Sequence, residues 1–280
     1  MKRHKINKFS FIDGTKKWFT DYAGYGKDEQ PKAVIGISGG KDSSVVAALV
    51  ANAIGPENVL GIMMPNGYQK DISDSMELVE HLGIYNTVIN IGKAYEGLIE
   101  YIDAGLPPDS IGAPTGVPPI REDKKVITNL PARLRMATLY AIANRENRRV
   151  IGTGNFAEGI CGYYTLWGDG ACDFDPIADL YVDEVIELGR QLGVPEKFLV
   201  KIPDDGMSGV PDEEKLGFRY SDVKVYYETS RNSAIEKLGI ATYEKIDKKV
   251  KSAHFKRMLT NIPYLKVNGD LFVKGDVYWT

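Results

Sequence analysis

Apolar positions recur along this chain in two rhythms, and their order predicts the architecture. Phe11, Ile12, Trp18 and Phe19 fall at helical spacing between Phe9 and Tyr22, which predicts an amphipathic helix able to reach a core or a partner subunit. Ala33 to Ile37 is a short β-favouring run. A helical pattern (Val45, Val46, Leu49, Val50) follows it from Asp42 to about Ile54. Val59 to Met64 predicts a second strand, closed by Pro65-Asn66-Gly67, and Thr87 to Ile91 a third. Between them Ile72, Met76, Val79 and Leu82 share one face of a helix over Asp71 to Leu82. A longer helix runs from Lys124, or from Asn129 with Pro131 in its first turn, to Asn147. Arg149 to Ile151 is a short strand that leads into Gly152-Thr153-Gly154-Asn155. Helices are also expected over Asp179 to Leu192, stopped by Gly193 and Pro195, and over Asp222 to Leu238 and Tyr243 to Leu259.

Strands alternating with helices at this spacing define the α/β class, a doubly wound parallel sheet with additional helices and its ligand at the carboxyl ends of the strands. Ser38 and the Met64-Pro65-Asn66 turn then share one sheet edge. No internal repeat divides the chain, so residues 1–280 read as a single domain. Two Gly/Pro-rich stretches interrupt the rhythm. Asp103 to Ile120 reads as a mobile lid, a subunit contact or a linker, and Pro203 to Gly217 as a flexible loop. The tail from Leu271 to Thr280 is apolar enough to pack, most simply at a subunit boundary.

Composition narrows the function class. Lys and Arg number 35 against 38 Asp and Glu, a net charge of −3, which argues against a dedicated nucleic-acid binder. Arg133, Arg135, Arg145, Arg148 and Arg149 form a local basic cluster, read for the most part as a solvated helix face. Cys161 and Cys172 match no zinc spacing and offer no disulfide framework, as expected in a reducing compartment. The basic start at Met1 to Lys5 is followed by Ser10, Asp13, Lys16 and Lys17 rather than by an apolar signal core. No run is long enough to span a bilayer, so a cytoplasmic location is expected.

The candidate chemistry starts at Gly36-Ile37-Ser38-Gly39-Gly40-Lys41-Asp42-Ser43. Glycines at a strand-to-helix turn let backbone approach a ligand, and the helix start behind them offers unpaired N–H groups and a partial positive charge that suit phosphate. It is not a Walker loop, because Gly36 and Gly40 are one residue too close and Asp42 follows Lys41. Ser-Gly-Gly-x-Asp-Ser after a buried strand resembles the loop of the ATP pyrophosphatases, enzymes that cut ATP between the α and β phosphates. With Gly152-Thr153-Gly154-Asn155-Phe156-Ala157-Glu158, the Gly162-to-Asp173 block (GYYTLWGDGACD), Pro176-Ile177, Arg133-Leu134-Arg135-Met136 and Asp212 to Tyr220, the chain resembles the NAD synthetase family from about residue 10 to about residue 260.

That resemblance implies an adenine nucleotide alpha hydrolase-like fold and amidation of deamido-NAD by ammonia. An ionised carboxylate is a poor electrophile, so the nicotinate first attacks the α-phosphate of ATP, pyrophosphate leaves, and ammonia then expels AMP. It implies ATP contacts at Gly36 to Ser43 and Thr153, magnesium on Asp42 and Glu158, and deamido-NAD contacts at Arg133, Asp173, His254 and Lys256. Asp42 and Asp173 are the implied catalytic carboxylates. Asp173 would capture ammonium or orient the ribose, and an exposed helical His254 and Lys256 is an equal reading of that pair. Leu166, Val182 and Asp204 depart from the pattern, the first two removing positive charge beside anionic substrates. Lys201, Lys215 or Arg219 could substitute. A homodimer is implied, with the N-terminal helix and the helix from Asn129 as interface elements. A built-in glutaminase domain is not expected. Two other readings keep the fold: a different ATP-pyrophosphatase amidotransferase or tRNA-modifying enzyme, and a non-catalytic nucleotide-binding regulator.

Overall fold

The structure, a computed structural model, describes residues 5–69, 72–106, 119–201, 212–259 and 262–272. Its centre is a four-stranded parallel sheet in the order β3-β2-β1-β4, made of β1 (Ala33–Gly36), β2 (Val59–Met63), β3 (Tyr85–Val88) and β4 (Arg149–Ile151). β1 pairs with β2 on one side and β4 on the other, with Val34 opposite both Leu60 and Val150. The chain therefore winds one way from β1 to β3 and the other way to β4. The crevice between the carboxyl ends of β1 and β4 is the topological switch point, where open α/β sheets bind ligands.

One face of the sheet is covered by α1 (Lys8–Asp21), α2 (Lys41–Ile54) and α7 (Val182–Leu192). α2 is apolar nearly all round, with Val45 to Val50 fully buried, because it lies between the sheet and the other two helices. α3 (Ile72–Leu82) adds Leu78 and Val79 to this core. Phe11, Trp18 and Phe19 of α1 enter it as well, and Trp18 stacks on Phe174 at 4.6 Å. The aromatic face expected to reach a core or a partner thus packs inside its own chain. The other face carries α5 (Lys124–Glu146), whose Leu134, Leu139, Tyr140 and Ile142 pack over Val34, Ile62 and Val150. A third cluster joins α6 (Phe156–Cys161), α10 (Tyr220–Glu228) and α12 (Ile240–Ser252) through Ala157, Cys161, Tyr220, Val223 and Ile246.

Several expected boundaries move. The third strand is Tyr85–Val88, two residues earlier than its apolar run suggests, because parallel pairing with Leu60–Met63 sets its ends. Gly92–Gly105 is a helix, α4, that the apolar pattern did not predict, and residues 107–118 lie outside the described residues. α5 starts at Lys124 because Asp123 caps it, accepting from the N–H groups of Lys125 (2.7 Å) and Val126 (3.2 Å), so Pro131 is interior. The helix expected from Asp179 begins at Val182. Asp222 to Leu238 is two helices, broken before Ser230, which caps α11 (Arg231–Leu238). Ala253 likewise separates α12 from α13 (His254–Leu259). The end of the second flexible stretch forms α9 (Asp212–Leu216), after α8 (Glu196–Leu199), while residues 202–211 lie outside the described part. Leu271–Phe272 of the tail is β6, paired with β5 (Tyr264–Leu265), with Leu271 packed against the chain's own core; residues 273–280 are not described. Among the described residues no helix is long and apolar enough to cross a membrane.

Candidate active site

The loop after β1 and the loop after β4 meet at the switch point. Gly39 holds φ +78°, a left-handed conformation in which a side chain is strained, and a Cβ there would lie 2.9 Å from Ser75 Oγ. Ser38 and Ser43 hydroxyls lie 3.1 Å apart, and Ser38 Oγ accepts from the Gly40 N–H at 3.2 Å. Ser43 Oγ and Ser44 Oγ both donate to Gly40 O. These bonds fix the turn while its N–H groups open α2.

On the other side, Gly152 leaves β4 against Cys172 and Asp175, where any Cβ would collide with Cys172 Sγ. Asn155 then starts α6 with a capping box. Its Oδ1 accepts from Ala157 and Glu158 N–H groups (3.0 and 3.2 Å), and Glu158 Oε2 accepts from the Asn155 N–H (3.1 Å). Asn155 Nδ2 donates across the crevice to Asp42 Oδ1 at 3.3 Å. Asp42 Oδ2 accepts from Lys41 Nζ at 2.8 Å, and Lys41 is only 3% exposed. Thr153 is half-buried in the same loop.

The electrostatics of this cluster are unusual. Burial first, and then the neighbouring Asp42 charge, push the Glu158 carboxyl up to about 8. Asp175, which no sequence motif singles out, is likewise pushed up to about 8, chiefly by burial, and its Oδ1 is buried with no hydrogen-bond partner among the described residues. Burial works against the Lys41 ammonium, but Asp42, Glu158 and Asp212 outweigh it and raise its pKa. The Tyr220 hydroxyl is buried without a hydrogen-bond partner among the described residues, its pKa raised first by burial and next by Glu158. Asp212, also buried, accepts from Tyr163 OH at 3.1 Å.

These residues fit a magnesium site. Two carboxylates near one another share a single ammonium, Lys41, and one of them is still driven toward its protonated form, so the pair has room for further positive charge; Mg²⁺ is usually held by one or two carboxylates together with substrate phosphates. Among the described residues no group of three or more His, Cys, Asp or Glu could hold a metal by itself. A shared protein–substrate site is what such a pair provides.

The residues expected to meet the second substrate divide. Arg133 Nη2 donates to Leu166 O (3.4 Å), and Lys256 Nζ donates to Gly162 O (2.8 Å) and to Tyr164 O, so both converge on the 162–170 loop. Burial lowers the Lys256 pKa. His254 is exposed at the start of α13. Asp173 is held between β4 and α5. Its carboxylate accepts from Val150 N–H (2.8 Å) and Tyr140 OH (3.1 Å), beside the middle of β4, and it lines a cavity of ≈ 310 Å³ with Trp18, Tyr22, Ala23, Arg149 and Pro263.

The basic cluster is not mainly a solvated face. Arg135 Nε donates to Met64 O (2.9 Å), Arg148 Nη1 to Ala33 O and Asn58 O, and Arg149 Nε to Ala23 O, each tying backbone together. Lys201 pairs with Asp74 at 2.8 Å, and Val182 packs with the third apolar cluster; Asp204 lies outside the described residues. Sequence reasoning missed Asn155 as a bridge and Asp175 as a buried acid. The Asn-x-x-Glu pattern is a legible capping signal. Nothing local marks the reach to Asp42.

Fold and site together define a nucleotide-dependent enzyme of the α/β adenine nucleotide alpha hydrolase-like class. The model of the NAD synthase family matches residues 13–260. An NH(3)-dependent NAD(+) synthetase of Methanococcoides burtonii is 41% identical over 243 residues, 83% of this chain and 87% of that one. The Pyrococcus horikoshii protein of the same name is 37% identical over 239 residues, 81% and 85% of the two chains. Among solved structures, NMN synthetase from Francisella tularensis superposes with a TM-score of 0.73 at 30% identity, covering 91% of this chain and 98% of that one. The chain belongs to the NAD synthase family. It is a ligase of NAD biosynthesis.

Proposed function

We propose that this chain amidates deamido-NAD with ammonia at the expense of ATP, and that the crevice joining Asp42, Asn155 and Glu158 is where ATP is activated. The observation that carries this reading is the Asn155–Asp42 contact, which brings a phosphate-type loop and a paired carboxylate site to one switch point. The Gly36 to Ser43 backbone and the Ser38 and Ser43 hydroxyls receive the triphosphate, with Thr153 on the opposite wall. Asp42 and Glu158 would hold magnesium, which would supply charge neutralisation at the phosphates. Asn155 keeps Asp42 aimed at that position and caps the helix that presents Glu158. Positioning and charge neutralisation let the nicotinate carboxylate attack the α-phosphorus as pyrophosphate leaves; ammonia then attacks the acyl carbon of the adenylate, AMP leaves, and the proton lost from nitrogen passes to solvent.

Arg133 of α5 and Lys256 of α13, which both donate to the 162–170 loop, receive the anionic part of deamido-NAD, with His254 nearby in sequence. Asp173, held by Val150 N–H and Tyr140 OH, serves the acceptor. A homodimer accounts for β3, exposed along its whole length, and for exposed Leu98, Tyr101, Leu106 and Ile127 on and around α4 and α5. Phe9 and Tyr22 are the exposed aromatics of the N-terminal helix. The described residues include no membrane-spanning helix, and a cytoplasmic location fits a ligase using small soluble substrates.

One observation favours a second acceptor. The similarity to an NMN synthetase, with Leu166 in place of a basic residue, suits a smaller acceptor that needs fewer cationic contacts. Purified protein incubated with Mg²⁺, ATP, ammonium and either deamido-NAD or nicotinate mononucleotide tests both. NAD and pyrophosphate formed only in the complete deamido-NAD mixture support the main reading. Faster amidation of the mononucleotide supports the second. Nucleotide binding without turnover of either would identify a non-catalytic relative.

A further inference from the structure

Lys41 stands where elementary electrostatics disfavours a lysine. It is the first residue of α2, at the positive end of the helix dipole, and it is 3% exposed. A buried ammonium in that position persists only if anions compensate it. Its Nζ lies 2.8 Å from Asp42 Oδ2, and Glu158 and Asp212 are the other carboxylates whose charge reaches it. Asp42 Oδ1 is already engaged by Asn155 Nδ2 at 3.3 Å. Both oxygens of Asp42 are therefore occupied by this chain's own donors, one of them a full positive charge. A cation arriving at Asp42 meets an ammonium 2.8 Å from the same carboxylate, and like-charge repulsion sets the two in competition for it.

We propose that Lys41 is a resident counter-ion of the metal site: its ammonium occupies Asp42 in the substrate-free enzyme and is displaced when the divalent cation arrives with ATP. This inference rests on the assignment of Asp42 and Glu158 as the magnesium carboxylates. It gives the site two states. Without nucleotide, an internal cation satisfies the buried carboxylates and competes with free metal. With nucleotide, phosphate oxygens add ligands to the metal and attract the released ammonium, so exchange becomes favourable. Lys41 thereby makes cation binding depend on the triphosphate, which is a specificity role distinct from simple phosphate contact.

The test is a titration of substrate-free protein with Mn²⁺, following free Mn²⁺ by electron paramagnetic resonance, for wild type, Lys41→Met, Lys41→Arg and Asp42→Asn. Removing the competing ammonium in Lys41→Met should tighten Mn²⁺ binding by about fivefold or more, while Lys41→Arg stays near wild type. Melting temperatures in chelator and in excess Mg²⁺, without nucleotide, give an independent readout. Lys41→Met should melt lower in chelator and recover more on adding Mg²⁺ than wild type does. Unchanged or weaker Mn²⁺ binding by Lys41→Met overturns the inference. If Lys41→Met does not fold, Lys41→Gln takes its place in the titration, with the same outcome required. The double variant Lys41→Met/Asp42→Asn distinguishes failure of the metal assignment from failure of the Lys41 role. If Asp42→Asn leaves Mn²⁺ affinity untouched in both backgrounds, the metal assignment itself fails. If Asp42→Asn weakens binding but Lys41→Met does not tighten it, only the role of Lys41 fails.

Discussion

The side-chain amide of Asn155 donates to Asp42 at 3.3 Å and so ties together two loops that are 113 residues apart in sequence. Its carbonyl oxygen meanwhile caps α6 and fixes Glu158. One residue thus sets the geometry of both carboxylates assigned to the metal.

These two jobs can be separated. Asn155→Ala removes the cap and the bridge, and should cost about 1 kcal/mol of stability as well as kcat/KM for ATP. Asn155→Ser keeps a cap hydroxyl but cannot reach Asp42. It should melt near wild type and still lose about tenfold or more in kcat/KM, a range set by misplacement of a catalytic group. Thermal melts and steady-state kinetics on both variants check this, and equal activity of Asn155→Ser and wild type would remove the bridge from the mechanism.

Glu158→Gln tests the metal pair with little structural cost, because glutamine at the third helical position also completes a capping box. Pyrophosphate release should fall by about 100-fold or more, a scale typical of losing charge stabilisation at the reacting phosphate. In metal-free protein its melting temperature should match wild type near pH 4 and lie above it near pH 8, because the buried carboxyl is gone. A variant that turns over normally would exclude Glu158 as a ligand.

Asp175 predicts a pH dependence of stability. Its carboxyl ionises near 3.8 when exposed but is pushed up to about 8 in the folded chain, chiefly by burial. The unfolded chain therefore releases this proton before the folded one does, so the stabilisation is fully present below about pH 4 and is lost as pH rises through about 8. Glu158 acts in the same direction over the same window in metal-free protein. Asp175→Asn should melt like wild type near pH 4 and above it at about pH 8. A melting difference that does not grow over this range would show that Asp175 is not held protonated.

Asp173 accepts hydrogen bonds from Val150 N–H and Tyr140 OH, so a loss of activity at this position has two explanations. Asp173→Asn should lower turnover with deamido-NAD and leave KM for ATP unchanged. Tyr140→Phe removes only the phenol contact and should retain most activity if the carboxylate meets substrate directly. Matching losses in the two variants would make Asp173 a strut between α5 and β4 instead.

Much of this protein is legible from residues near one another in sequence. Alternating strand and helix patterns predict the parallel sheet, and the glycine turn from Gly36 to Ser43 marks its ligand edge, because periodicity, caps and turns depend on only a few neighbours. The breaks before Ser230 and at Ala253 are harder to see, since the apolar pattern continues across them and the turn is set by packing between helices. The apolar face of α1 is plain in the sequence, but its place inside the chain is not. Its destination depends on Phe174, far along the sequence.

What sequence alone determined, then, is the order of elements, the nucleotide loop and the family blocks. Tertiary structure decided which carboxylates share a site. The register of β1 against β4 brings Asp42 to Asn155, while the same sheet carries Asp173 to the side of Val150. It also decided that Lys41 is buried and that Asp175 is shielded from water. Burial and charge coupling sum over surfaces contributed by distant segments, and those surfaces exist only once the sheet has closed.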